Sequence, residues 1–154
     1  MLMKDTFIPF LRRCFRWFVV LIALSIIVYL GYVLILWTQF STNQAKWLNN
    51  NTANYSVVVR YSNNNAGVYS EAPEIVQDEH VTQGYRDSAT PAGKPVIEWA
   101  FEQAKSCISS WIVCSAFSWS FEYDPTYGYP SRIQYHDYDW LYTIEITAYA
   151  PSKP

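Results

Sequence analysis

Residues 17–37, WFVVLIALSIIVYLGYVLILW, contain no charged side chain, and the organisation of the chain follows from them. A helix of this length, rising about 1.5 Å per residue, spans roughly 30 Å, the thickness of a bilayer's hydrocarbon core. The sequence therefore predicts a transmembrane helix, which we assign to residues 17–40. A cleaved signal peptide is the competing interpretation, but its apolar region is only about 7–15 residues long and ends at a small-residue cleavage site.

Residues 1–16 form a short basic segment in front of this helix, and it contains one acidic residue, Asp5. Its cations are Lys4, Arg12, Arg13 and Arg16. Cations near the end of a single span are retained on the cytoplasmic side. We therefore expect a cytoplasmic N-terminus in the cell (inner) membrane and an extracytoplasmic remainder. That remainder is acidic, which argues against nucleic acid as a partner.

Residues 41–54 are polar and rich in asparagine, and they predict a juxtamembrane linker with room for a helical turn. Residues 55–150 then form one domain. Period-two alternation with β-branched and aromatic residues predicts six strands. These strands are residues 55–61, 73–78, 80–85, 118–123, 131–135 and 141–149.

An amphipathic helix is predicted between the third and fourth strands. It begins at Pro95, and its apolar residues recur at spacings of three and four. The apolar stripe consists of Ile97, Ala100, Phe101, Ala104, Ile108 and Trp111. Short turns between strands favour antiparallel pairing, so the expected fold is α+β. It comprises a single N-terminal transmembrane helix, then two layers in the order βββ-α-βββ, with one helix on an antiparallel sheet of about six strands.

Residues 123–130, YDPTYGYP, are the most specific motif of the chain, and Trp47, residues 54–55 and Phe101 accompany it. Together they resemble a family of bacterial membrane-anchored or lipoprotein domains of unknown function, and the similarity covers Trp47 to Tyr149. Members often carry a Cys-x-Cys pair after the first strand, where this chain has residues 61–63, YSN. The resemblance implies a fold and a compartment, and it implies no activity. The turn residues also have a structural explanation, because Pro125 and Gly128 suit a shaped loop between strands.

The sequence predicts no catalytic residue, no metal site and no cofactor. Nucleophile motifs, a glycine-rich phosphate loop and a haem-attachment motif are all missing from it. The best metal-ligand cluster is Asp124, His136, Asp137 and Asp139. Its spacing does not match a calcium loop, so we interpret it as solvated loop charges.

The three cysteines are predicted to divide by compartment. Cys14 should be a reduced cytoplasmic thiol, whereas Cys107 and Cys114 can form a disulfide in the outer domain. On one continuous helix these two would lie about 10 Å apart, which is too far for a bond. A helix that ends near residues 109–110 would let the chain turn back, and we favour that bridge.

Tyrosine is frequent late in the chain, and four aromatic residues fall in predicted turns. They are Tyr127, Tyr129, Tyr138 and Trp140. Because such residues are enriched at binding surfaces, we expect them to contact a partner. The leading hypothesis is a non-catalytic accessory protein with the lipid bilayer and other membrane-complex subunits as partners. The alternative is a tethered domain that binds a small ligand or an envelope component.

Overall fold

The computed structural model describes residues 4–50, 53–63, 68–84, 93–110, 119–137 and 140–151. The chain forms two compact units, Met1–Thr38 and Gln39–Pro154. The first unit is helical, and the second contains the end of the first helix, the sheet and a further helix.

Helix α1 runs over Lys4–Asn50, and among the described helices it alone is long and apolar enough to cross a membrane. Between Phe15 and Trp37 its apolar side chains are exposed or partly exposed, for example Trp17 at 68%, Val28 at 71% and Leu34 at 68%. A helix that is apolar on all sides and buries none of them in protein fits a lipid environment.

The predicted linker is wrong as far as Asn50, because residues 41–50 continue α1. No glycine or proline interrupts this stretch, so nothing in its backbone ends the helix. Phe40 and Trp47, two turns apart on one helix face, are only 2% and 3% exposed. Their burial in the second unit stabilises the helical conformation. Residues 41–50 therefore belong to the domain.

The six strands form a single antiparallel sheet in the order β3-β2-β1-β6-β5-β4. Their bounds are β1 Tyr55–Asn63, β2 Val68–Gln77, β3 His80–Gln83, β4 Trp119–Tyr123, β5 Pro130–Asp137 and β6 Trp140–Pro151. Each predicted strand is present, with ends that differ by a few residues. The central pair, β1 and β6, brings together strands from the two ends of the domain.

Helix α2 (Val96–Ser109) buries Ile97, Ala100, Phe101 and Ala104, as the apolar spacing predicts. Trp99 is also buried, although it was not part of the predicted stripe. Phe101 contacts Phe40 of α1 edge to face, with ring centroids 6.1 Å apart. The end of α1 and the whole of α2 thus share one core with the sheet.

The fold is α+β, as expected, but the order is α-βββ-α-βββ. Two helical segments, rather than one, cover the sheet. We call the covered side the helix face. The other side, the open face, carries the alternate residues of the strands, including Arg60, Glu145 and Arg132. An antiparallel sheet with one packed and one solvated side is the usual arrangement.

Candidate functional site

The turn between β4 and β5, residues 123–130, is closed by its own acidic residue. Asp124 Oδ1 accepts hydrogen bonds from the backbone N–H groups of Thr126 (2.9 Å) and Tyr127 (2.7 Å). The Asp124 carbonyl accepts from Gly128 N at 2.9 Å. Gly128 has φ of +80°, which glycine adopts without a steric penalty. The sequence therefore specifies this loop locally.

The same loop packs closely against the last turns of α1. A Cβ at Gly128 would lie 2.4 Å from the Asn43 carbonyl oxygen and 2.7 Å from Lys46 Cβ. Lys46 Nζ also donates to the Pro125 carbonyl at 3.3 Å. Gly128 is thus required twice, by its backbone angle and by the approach of the helix. The YDPTYGYP motif holds the end of α1 against the sheet.

Beneath this loop, aromatic rings surround Trp47. Its ring centroid lies 5.5 Å from Tyr55, 6.0 Å from Tyr129 and 5.7 Å from Tyr149. All three pairs are close to perpendicular, a favourable geometry for aromatic contacts. Tyr127 joins the group through Tyr149, at 4.7 Å. We call these five residues the Trp47 cluster.

The Trp47 cluster contains two of the four aromatic residues that were predicted to contact a partner, Tyr127 and Tyr129. Tyr129 is 5% exposed, and burial raises the pKa of its phenol to about 12, so the prediction that it contacts a partner is wrong. Its position in a turn suggested exposure, but that turn packs on α1. Tyr127 is half-buried in the same cluster. Tyr138 lies outside the described residues, as does the side chain of Trp140.

Two acidic side chains are held near the N-terminus of α2. Glu74, on the helix face of β2, is 6% exposed, and its Oε1 accepts a hydrogen bond from Val96 N at 2.8 Å. Glu98, one turn into the helix, accepts one from the Tyr55 hydroxyl at 2.9 Å. Burial is the main cause that raises the pKa of both carboxyls, and Glu98 raises that of Glu74 further. Each carboxyl therefore serves the fold as an acceptor.

No group of three or more His, Cys, Asp or Glu within the described ranges could hold a metal ion. Of the four residues in the metal-ligand cluster of the sequence, Asp124 accepts hydrogen bonds within its own turn and His136 is exposed. The side chain of Asp137 and all of Asp139 lie outside the described residues.

Burial also raises the pKa of the Tyr123 phenol, to about 12.

The open face carries a row of alternating charges across five strands. Arg60 pairs with Glu71 (3.3 Å) and Glu145 (3.7 Å). Arg132 pairs with the same Glu145 (3.2 Å) and with Glu122 (3.6 Å). We call this row, Glu71–Arg60–Glu145–Arg132–Glu122, the charge ladder. The sequence alone does not predict this ladder, because the pairing depends on register, which the alternation within single strands does not reveal.

A second row on the open face is polar and uncharged. Ser120 Oγ donates to Gln134 Oε1 at 3.3 Å, and Gln134 Nε2 donates to Thr143 Oγ1 at 3.4 Å. These residues lie on β4, β5 and β6, directly opposite one another. Ser120 is exposed and Gln134 is half-buried, whereas Thr143 is only 5% exposed.

The remaining predicted residues lie on α1 and α2. Arg12, Arg13 and Arg16 are exposed on α1, and Cys14 is an exposed free thiol. Lys4 begins α1, and its side chain lies outside the described part of the chain. Cys107 is disulfide-bonded on α2, which ends at Ser109 as the bridge requires. Cys114 lies outside the described residues, so the pairing itself stays a prediction.

A family of unknown function, DUF6174, matches residues 39–148. The matched region begins where the second compact unit begins, within α1, and it includes the charge ladder, the YDPTYGYP loop and the Trp47 cluster except Tyr149. No curated protein and no solved structure matches this chain.

Proposed function

Because this chain belongs to the DUF6174 family, whose function is unknown, we propose a function from its own surfaces. The protein is a single-pass, membrane-anchored accessory protein without catalytic activity. Its extracytoplasmic domain binds another protein, as one subunit of a larger membrane complex.

The observation that carries this proposal is the exposure of the apolar part of α1. Between Phe15 and Trp37, the large hydrophobic side chains are exposed by 37% to 71%, apart from Val33 and Leu36, which are partly buried. At about 25 cal/mol per Å² of apolar surface, leaving such a helix in water would cost many kcal/mol. Lipid removes that cost. Trp17 and Trp37 stand at the two ends of the apolar run, where tryptophan favours the membrane interface.

The charges on α1 support the orientation. Arg12, Arg13 and Arg16 are exposed immediately before the apolar run, and the next charge along the chain is Lys46. Three arginines on the N-terminal flank favour a cytoplasmic N-terminus. The domain then lies outside the cytoplasm, where the disulfide of Cys107 is chemically stable.

The polar groups of the domain support binding rather than turnover. Glu74 accepts from the first turn of α2, Glu98 accepts from Tyr55, and Asp124 closes its own loop. Groups used in this way hold the fold in place. The charged and polar side chains of the open face are suited to recognising another protein surface.

The test is purification of the tagged full-length chain from its native membranes in a mild detergent, followed by mass spectrometry. We expect the chain to resist extraction with alkaline carbonate and to bring other membrane proteins with it. Release of a soluble, shortened domain would show a cleaved signal peptide and overturn the anchor. Recovery of the chain without any stoichiometric companion would overturn the role in a complex.

A matched control separates the two parts of the chain. In this variant residues 17–37 are replaced by an unrelated Leu/Ala helix of equal length, which preserves anchoring. A partner that binds the domain is retained by the variant, as we expect. A partner that is lost would be bound by the native span instead, which contradicts the assignment of binding to the domain.

A further inference from the structure

Strand β4 (Trp119–Tyr123) is an edge of the sheet. Within the described residues it pairs with β5 on one side, and no strand pairs with its other side. A free edge presents backbone N–H and C=O groups that an extended peptide can join by β-augmentation. Every open sheet has such edges, so the side chains on both faces of β4 must decide whether this one accepts a partner.

On the helix face, a column of stacked rings ends at this edge. Tyr142, Tyr135 and Trp119 lie opposite one another on β6, β5 and β4. Their centroids are 5.0 Å and 4.7 Å apart, with ring planes within 14° and 17° of parallel. These distances match the spacing of neighbouring strands, so each ring stacks on the next across the sheet. Trp119 is half-buried and is the last ring of the column among the described residues.

On the open face, the charge ladder ends at the same edge. Glu145, in its middle, has a cation on each side and a side chain 29% exposed. Glu122, at its end on β4, meets only Arg132 in this ladder, and its side chain is 62% exposed. The alternation of signs would continue if a cation lay beyond Glu122. Opposite charges directly across strands stabilise pairing, whereas like charges oppose it.

We propose that β4 is the docking edge for an extended segment of a partner protein, which adds a seventh strand with an aromatic residue opposite Trp119 and a Lys or Arg opposite Glu122. This inference rests on the proposed function, because it names how the partner is bound. Trp119 and Glu122 are three positions apart on opposite faces, so the partner segment carries its basic and aromatic residues at the same spacing.

Charge complementarity favours a different protein over a second copy of this chain. If β4 paired antiparallel with its own copy about Phe121, Glu122 would face Ser120 of that copy. Trp119 would then face Tyr123. The charge ladder would gain no cation in that arrangement, so the second copy leaves Glu122 as it was.

The test uses the full-length protein in mild detergent and two synthetic peptides, IKVTWT and IEVTWT. Aligned antiparallel to β4, their second residue faces Glu122 and their tryptophan faces Trp119. An exposed pair contributes up to about 1 kcal/mol, so we expect IKVTWT to bind roughly fivefold more tightly than IEVTWT in fluorescence anisotropy titrations.

The matched variant is Glu122→Lys, whose fold is checked by near-ultraviolet circular dichroism. We expect the preference to reverse, so that this variant binds IEVTWT more tightly. Equal binding of both peptides, or no saturable binding, would overturn the proposal. So would dimers of the unmodified protein, seen by light scattering, that do not bind IKVTWT, because they would assign the edge to a second copy.

The native membrane preparation keeps this proposal distinct from the proposed function. A companion protein that is recovered with the unmodified chain and lost with Glu122→Lys supports docking at β4. If the companion stays bound to Glu122→Lys, the docking edge is wrong, while the role in a complex stands. If the unmodified chain brings no companion, the proposed function itself fails.

Discussion

Gly128 joins the backbone of the YDPTYGYP loop to the packing of α1, and we expect Gly128→Ala to be strongly destabilising. Left-handed backbone costs a residue with a Cβ about 1–2 kcal/mol. The new Cβ would in addition meet the Asn43 carbonyl oxygen at 2.4 Å, and overpacking costs about 1–3 kcal/mol more. The free energy of unfolding should be measured by pulse proteolysis in urea, with the full chain in detergent.

Gly93→Ala is the matched control for that substitution. Gly93 has a similar φ, +85°, but an added Cβ there would meet nothing within 4 Å. The two variants share the backbone penalty and differ in the contact with α1. Gly128→Ala should therefore lose about 1–3 kcal/mol more than Gly93→Ala. Equal losses would show that the loop does not pack against the helix.

The buried carboxyls should make the domain more stable at mildly acidic pH. Burial raises the pKa of Glu74 and Glu98 above the ordinary value of 4.5 in the folded state. The folded state therefore holds protons that the unfolded state has released. The stabilisation is complete below the unfolded pKa and is lost as the pH rises through the folded one. Unfolding curves recorded from about pH 4 to pH 8 should show this decline.

Substitutions at the two carboxyls separate charge from hydrogen bonding. Glu98→Gln can still accept from the Tyr55 hydroxyl but does not titrate, so we expect it to flatten the decline above pH 4.5. Glu74→Gln should act similarly, because its amide oxygen can accept from Val96 N. Glu74→Ala leaves that buried donor without its acceptor, at about 1–3 kcal/mol. An unchanged pH profile in both Gln variants would contradict the assignment.

The helices and strands differ in how far the sequence could place them. Alternation at Tyr55, Val57 and Val59 located β1, and spacings of three and four located α2, because each pattern repeats within one segment. The end of α1 was missed, since its polar residues hide the two buried ones, Phe40 and Trp47, that pack it on the sheet. A pattern within one segment does not show what that segment packs against.

The sites were predicted less well than the segments, for the same reason. The bond from Val96 N to Glu74 joins residues far apart in sequence, as does the one from Tyr55 to Glu98. Neither hydrogen bond can be predicted from the sequence around its two residues. The charge ladder needs the register of four strand pairs at once. The prediction for Tyr129 is wrong because the turn that carries it packs on α1, and the residues of the turn do not show that neighbour.

A substitution at Trp47 tests whether the last turns of α1 belong to the domain. Trp47→Ala removes a ring that is 3% exposed and touches Tyr55, Tyr129 and Tyr149, so a loss of about 3–5 kcal/mol in unfolding free energy is expected. Leu48→Ala is the control, because Leu48 is adjacent on the helix and 67% exposed. It should change stability by about 0.5 kcal/mol or less. Similar losses of stability at both positions would show that the last turns of α1 are not part of the core.

Topology is a property of the complete chain, and its cysteines can report it. Cys14 is an exposed free thiol beside the arginines of α1, whereas Cys107 is held in a disulfide and does not react. With a cytoplasmic N-terminus, a membrane-impermeant maleimide should leave Cys14 unlabelled in intact spheroplasts and label it after permeabilisation. Ala148→Cys, at an exposed position of β6, should be labelled in both conditions.

The other outcomes of this labelling experiment would indicate either a reversed topology or a cleaved signal sequence. If Cys14 is labelled in intact spheroplasts and the Ala148→Cys thiol is not, the arginines do not set the orientation, and the domain lies in the cytoplasm. If the mature chain lacks Cys14 by mass, residues 1–16 and the span were a cleaved signal sequence. Because TM helices and signal sequences share an apolar core, length and hydropathy alone do not distinguish these outcomes, whereas the position of one thiol does.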